Sequence, residues 1–534
     1  MARTLAKAFL VATLLVGPLA AAPVRTGAGM VEGVTEAGGV VTYKGIPFAA
    51  PPTGPFRWRA PQRAVGWKGV RRADAFAPAC PQDQGGNARL GLPLLPTSED
   101  CLYLNIWSPP RKPGERLPVM VWIYGGGFIF GATSIPTYSG NALARHGVVV
   151  VSIAYRLGAL GFLAHPDLTA ESRGRGSGNY GMLDQIAGLR WVRDNIAAFG
   201  GDPANVTIFG ESAGGVAVSI LAASPPAKGL FQRVISESGG SFAPPRRSRG
   251  VQEGGLLILP QDFAEEKGRA FFRSLGVATL AEARARSADD IVRATGSVLS
   301  GQFWPVIDDY VLPGDQYRLY SQGRFNDVPI LVGTNSDEGA LFVPNQAAAA
   351  HHADEVRAAY GPFADEVLAA YPVGDGPTTL HSARDLRRDA TFGWSTWTWA
   401  RLQAEKGRAP SYLYYFDHRP PWPAGPQSDW GAAHASEIPY VFGTLDTKPE
   451  MKWTEADRQL SDRMMLYWVN FARTGDPNGS GLPAWPAFTA ARPAAMYLTD
   501  DPHGGPVPNL ARLQVFDRYF AWRREQDRAA EPKP

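Results

Sequence analysis

The sequence predicts an α/β fold: a large, mostly parallel central sheet covered by helices on both faces, with long insertions. Three observations predict it. Continuous apolar, β-branched runs recur at Pro118–Ile123, Val148–Ala154, Asn205–Phe209 and Val328–Gly333. Runs without polar alternation mark strands buried on both faces. Helical segments alternate with them, from Asn179 to Phe199 before the third run and from Gly215 to Ala223 after it. Such alternation builds a parallel sheet between two helical layers. Lastly, Gly125-Gly126-Gly127 follows the first run and Gly210-Glu211-Ser212-Ala213-Gly214 follows the third. Both lie at carboxyl ends of strands, where sheets of this kind bind ligands.

The chain has 534 residues. Length alone would allow several domains. No linker, internal repeat or low-complexity stretch divides it, so a single domain over residues 23–534 is expected. Residues 1–22 read as a signal peptide. Arg3 and Lys7 give a positive start, Ala8 to Leu19 is apolar, and Ala20-Ala21-Ala22 supplies small residues for cleavage. The apolar stretch is short for a membrane span, and no cysteine directly follows it for lipid attachment. Export to the periplasm or medium is expected, with no membrane span in the mature chain. The net charge is +3, without an acidic or basic tail. This argues against a nucleic-acid partner.

The only cysteines are Cys80 and Cys101. In an exported protein, such a pair reads as one disulfide. It would close a loop of about 20 residues, worth roughly 3 kcal/mol in the chain-entropy account. Before the loop, Val40-Val41-Thr42-Tyr43 begins a β region. Pro51 to Trp58 then forms a rigid, proline-rich turn. Ser98 to Trp107 alternates into a strand, and Arg57 and Glu99 are placed to pair across the loop.

Gly210-Glu211-Ser212-Ala213-Gly214, between a buried strand and a buried helix, fits a nucleophile elbow. A serine on so tight a turn projects above the sheet edge, near the first free amides of the helix. Those N–H groups suit a developing negative charge. Ser212 is the candidate nucleophile. Three glycines after a strand cost conformational entropy and suit a backbone that must approach a ligand. Gly126 and Gly127, with Ala213 just after the serine, are the candidate oxyanion-hole amides.

Asp337 and Glu338 follow the strand Val328–Gly333, where an imidazole-orienting acid would lie on the active face. Composition does not choose between them. In this arrangement the chain order is serine, acid, histidine. That leaves His351, His352, His381, His418, His434 and His503 as candidate bases. His434 stands among small residues before an apolar turn, a setting with room for an imidazole to face a pocket.

Together these stretches resemble the type B carboxylesterases, the α/β-hydrolase group that includes the cholinesterases. The resemblance rests on Tyr43-Lys44-Gly45-Ile46-Pro47, Glu99 to Asn105, Tyr124 to Phe128, Tyr155-Arg156 and Gly210 to Gly215. It continues through Ser336-Asp337-Glu338-Gly339, His434 and Trp468 to Asn478, and so spans nearly the whole mature chain. It implies an α/β-hydrolase fold and a serine carboxylic-ester hydrolase working through an acyl-enzyme. The implied triad is Ser212, His434 and Glu338, rather than Asp337. The resemblance also implies a Cys80–Cys101 bridge, ion pairs Arg57–Glu99 and Arg156–Asp184, and a supporting role for Ser238. No metal or organic cofactor is implied, and the expected partner is a small-molecule ester.

One departure bears on substrate. No tryptophan lies between Cys80 and Cys101. In cholinesterases that loop carries one to hold a quaternary ammonium, so choline esters are not the expected substrates. Arg246, Arg247 and Arg249 follow Ser238 in a region that the family places near the acyl pocket. They read either as a cluster for bulky or polycarboxylate acyl groups or as a solvated loop. Amide or lactone hydrolysis on the same triad is the alternative chemistry. A non-catalytic adhesion module is disfavoured because Ser212, Glu338 and His434 are all present.

Overall fold

Buried apolar runs such as Leu117–Ile123, every residue of which is buried, form the centre of a 12-stranded sheet. The computed structural model describes residues 19–84, 93–245, 258–296 and 303–530. The sheet begins with β1 (Leu19–Ala20), β2 (Val34–Thr35), β3 (Val41–Pro47) and β4 (Tyr103–Ser108). Next come β5 (Leu117–Ile123), β6 (Val149–Ile153), β7 (Gly201–Glu211) and β8 (Arg233–Glu237). The last strands are β9 (Ile330–Asn335), β10 (Ser411–Phe416), β11 (Ala494–Leu498) and β12 (His503–Pro506).

The spatial order is β1-β2-β3-β4-β6-β5-β7-β8-β9-β10-β11-β12. From β6 through β11 neighbours run parallel. The strands outside this block pair antiparallel. The expected parallel sheet is therefore its centre, and the margins are antiparallel. Hairpin-like margins suit strands that need no crossover helix.

The helices that matter for the site are α1 (Tyr180–Asn195), α2 (Ala213–Ala223), α3 (Gly376–Arg388), α4 (Trp394–Lys406) and α5 (Glu455–Thr474). Every residue of α2 is buried, matching its unbroken apolar sequence. It packs on β7 and β8, α4 packs on β9 and β10, and α5 packs on β5 and β7. Trp107, Trp122 and Trp468 are fully buried in the core these layers enclose.

Cys80 and Cys101 form a disulfide, 21 residues apart in sequence. Arg57 grips Glu99 with two hydrogen bonds, at 2.8 and 2.5 Å. Arg156 grips Asp184 in the same forked way, with both contacts at 2.8 Å. Arg156–Asp184 is fully buried and Arg57–Glu99 partly so; in both a matched fork satisfies charges that would otherwise be costly. Among the described residues, no helix is long and apolar enough to cross a membrane.

Candidate active site

Strand β7 ends at Glu211 and α2 begins at Ala213, so Ser212 alone makes the turn between them. Its backbone sits at φ 55°, ψ −121°. A positive φ costs a non-glycine residue on the order of 1–3 kcal/mol and persists only where its surroundings enforce it. Here the enforcement is close packing. A Cβ on Gly210 would stand 2.5 Å from the carbonyl oxygen of Ile123, and one on Gly214 would stand 2.0 Å from it. The two glycines let the elbow press onto the end of β5. The Ser212 amide donates to the Glu237 carbonyl at 2.9 Å and fastens the turn to β8.

The glycine run after β5 passes beside the serine. A Cβ on Gly125 would lie 3.0 Å from the Ser212 Cβ. Gly126 and Gly127 have φ of 101° and 59°. A Cβ on Gly126 would meet the Phe130 carbonyl oxygen at 2.2 Å. Among the described residues, the amides of Gly126, Gly127 and Ala213 have no backbone acceptor. Ala213 is the first residue of α2, where amides have no partner within the helix.

The acid and base loops converge on the same edge. Strand β9 ends at Asn335, and Glu338 follows in a tight turn with its side chain fully buried. Glu338 Oε1 accepts from the Ser238 hydroxyl at 2.5 Å and from the Asn335 amide at 2.8 Å. Its Oε2 lies 2.6 Å from Nδ1 of His434. His434 Nε2 lies 2.9 Å from Ser212 Oγ. A continuous line therefore runs from hydroxyl through imidazole to carboxylate.

The residues that the sequence left in competition fall elsewhere. Asp337 turns away from His434. Its carboxylate takes the Ala432 amide at 3.0 Å and the Ser336 hydroxyl at 2.8 Å. It thus ties the acid loop to the loop that carries His434. Among the other histidines, His418 sits between Asp457 and Asp500, and His352 faces the Tyr371 carbonyl. Arg246, Arg247 and Arg249 lie outside the described residues.

Four buried glutamates surround the imidazole region: Glu211, Glu237, Glu338 and Glu437. Glu211 Oε1 lies 3.2 Å from His434 Nε2. Burial pushes the Glu211 carboxyl above the ordinary carboxylate range, opposed by the His434 charge and reinforced by Glu437 and Glu338. Burial also raises Glu237 and Glu437. Glu237 accepts the Trp468 indole N–H at 2.8 Å, and Glu437 accepts the Asn335 amide side chain at 2.5 Å. For His434, burial favours the neutral ring, but Glu211 and Glu338 overcome it and raise the pKa above the ordinary imidazole range.

Sequence reasoning passed over several of these groups. Glu211 carried the plainest signal, since it is the variable residue immediately before the serine in the pentapeptide. Phe392 carried none. It stacks on the His434 ring with centroids 4.6 Å apart, and Phe342 lies tilted at 5.5 Å. Arg384 was equally silent in the sequence, although its guanidinium reaches both converging loops.

Fold and site together define an α/β-hydrolase with a serine on the elbow. The carboxylesterase family model matches residues 20–514. The chain is 38% identical over 484 residues to a para-nitrobenzyl esterase of Bacillus subtilis (strain 168), covering 87% of this chain and 92% of that one. It is also 38% identical over 476 residues to a fumonisin B1 esterase of Sphingopyxis macrogoltabida, covering 87% and 84%. A solved PNB esterase structure superposes with a TM-score of 0.77 at 35% identity, covering 92% of this chain and 99% of the other. The protein belongs to the carboxylesterase family and is a serine hydrolase of carboxylic esters.

Proposed function

We propose that ester hydrolysis runs through an acyl-enzyme on Ser212, with His434 as base and Glu338 as its orienting acid. The observation that carries this is the 2.9 Å and 2.6 Å pair of contacts on the two nitrogens of one imidazole. His434 takes the hydroxyl proton as Ser212 Oγ bonds to the ester carbonyl carbon. Glu338 holds the proton on Nδ1, which leaves Nε2 free to accept, and stabilises the imidazolium that forms. The amides of Gly126, Gly127 and Ala213 face the oxyanion, which each donor stabilises by roughly 10²–10³ in rate. His434 returns the proton to the departing alcohol. Water then attacks the acyl carbonyl by the same route and frees Ser212.

Release of p-nitrophenol from its acetate ester, by the wild type and by Ser212→Ala, tests this reading. Loss of turnover in the variant supports it. Equal rates contradict it.

Two finer readings accompany the mechanism. Residues 1–22 are proposed as a cleaved leader and 23–534 as a single exported domain. The positive start, the short apolar stretch and the disulfide support this. Among the described elements, cleavage after Ala22 would remove β1, a two-residue strand at the sheet edge. N-terminal sequencing of the exported protein checks it. For the acyl group, three arginines within four residues, Arg246, Arg247 and Arg249, favour bulky or polycarboxylate esters. A substrate panel with Arg246→Ala and Arg247→Ala tests that preference. Indifference to both changes removes it.

A further inference from the structure

We propose that Arg384 is a positioning residue: it sets the spacing between the loop that bears Glu338 and the loop that bears His434. The inference rests on the triad reading above and extends it to a side chain whose hydrogen bonds go to Val343, Pro344 and Asp429.

Arg384 stands on α3 with its side chain only 7% exposed. Its Nε donates to the Val343 carbonyl at 3.0 Å and its Nη2 to the Pro344 carbonyl at 2.9 Å. These carbonyls close the turn that opens at Glu338, since the Val343 amide donates back to the Gly339 carbonyl at 2.8 Å. The remaining nitrogen, Nη1, reaches the other loop. It contacts the Asp429 carboxylate at 3.0 Å and the Asp429 carbonyl at 3.3 Å, five residues before His434. One planar group therefore spans both loops.

The helix beneath it is docked just as closely. A Cβ on Gly339 would stand 2.0 Å from the Arg384 carbonyl oxygen, so the residue after Glu338 lies directly against α3. One helical turn on, Arg388 Nη1 donates to the Ser336 carbonyl at 2.9 Å. The acid loop is thus pinned to α3 on both sides of Glu338, and through Arg384 the same helix also holds the base loop at Asp429. A guanidinium fork holds such a geometry because its donors are fixed in one plane, whereas an ammonium offers a single point. Displacement of a reacting group by about 1 Å costs on the order of 10² in rate.

The test is a double-mutant cycle with Glu338→Gln, read by kcat and KM on a p-nitrophenyl ester. Arg384→Ala is expected to lower kcat by roughly 10- to 100-fold in the wild-type background, with KM within about threefold. In the Glu338→Gln background the same change should cost less than about threefold, because the contact it positions is already spoiled. An equal loss in both backgrounds, or a raised KM with kcat retained, overturns the proposal.

Arg384→Lys serves if the alanine variant does not fold. It keeps charge and stem but reaches only one loop, and the same outcomes apply to it. The downfield proton resonance of the His434–Glu338 hydrogen bond gives a readout independent of turnover. It should shift or broaden in the Arg384 variants, and an unchanged resonance contradicts the proposal. If Ser212→Ala retained full activity, the mechanism would fail while this resonance still judged the positioning.

Discussion

The rings of His434 and Phe392 lie nearly parallel, 20° apart in plane and 4.6 Å between centroids. Phe392 belongs to a π-helical turn, Asp389–Gly393, between α3 and α4. Turns of this kind recur at functional sites because the extra residue re-aims a side chain. Here the flat face of Phe392 fixes the plane in which the imidazole can turn, which Glu338 at one ring nitrogen does not do by itself.

Phe392→Leu keeps much of the volume and loses the flat face. An aromatic pair adds about 0.5–1.5 kcal/mol beyond area burial. The variant should therefore lose roughly 2- to 10-fold in kcat, with a smaller change in KM, by steady-state kinetics. A change confined to KM would assign Phe392 to substrate contact instead.

The pH dependence follows from the carboxylates around His434. Burial works against the charged ring, but Glu211, Glu338 and Glu437 outweigh it, so the proton is held above the ordinary imidazole value of 6.5. A base must be neutral to accept a proton. Activity is therefore expected to fall as pH drops through the raised pKa and to be full above it. Glu211→Gln removes the carboxylate 3.2 Å from Nε2, so the acid limb of kcat/KM should move to lower pH. A limb that stays in place or moves up contradicts the electrostatic account.

The disulfide is expected to act on stability rather than on chemistry. Cys80 and Cys101, 21 positions apart, bridge a loop outside the hydrogen-bonded line of the site. Replacing both with serine should cost roughly 3 kcal/mol by loop-closure entropy. Denaturant unfolding measures this, and kcat should stay within about twofold. A large loss of kcat in a folded variant would show that the loop shapes the site.

The fold was legible because its centre is made of runs that can only be buried strands. Leu117–Ile123 is buried along its whole length, as unbroken apolar sequence requires, and so is Ile330–Asn335, whose first three residues are apolar and β-branched or leucine. The elbow was legible because two glycines are needed where a Cβ would strike Ile123. The choice between Asp337 and Glu338 was not legible from spacing, since both follow the same strand. Only the fold decides that one carboxylate faces His434 and the other Ala432. Phe392 and Arg384 were invisible for a related reason. Their partners lie 42 and 45 residues away, and nothing local in the sequence distinguishes a stacking phenylalanine or a bridging arginine from ordinary core and surface residues. The antiparallel pairing of β3 with β4 and of β4 with β6 escaped because a strand's residues do not give the direction of its neighbour, and two-residue pairings such as β1 with β2 leave no periodicity to read.

The central claim is that Ser212 forms a covalent acyl intermediate. Mass spectrometry of the protein after reaction with a p-nitrophenyl phosphonate, which phosphonylates an activated serine, reads it most directly. One adduct per chain is expected, on the peptide containing Ser212, and none in His434→Ala. An adduct on another residue, or equal labelling of Ser212→Ala, would contradict it.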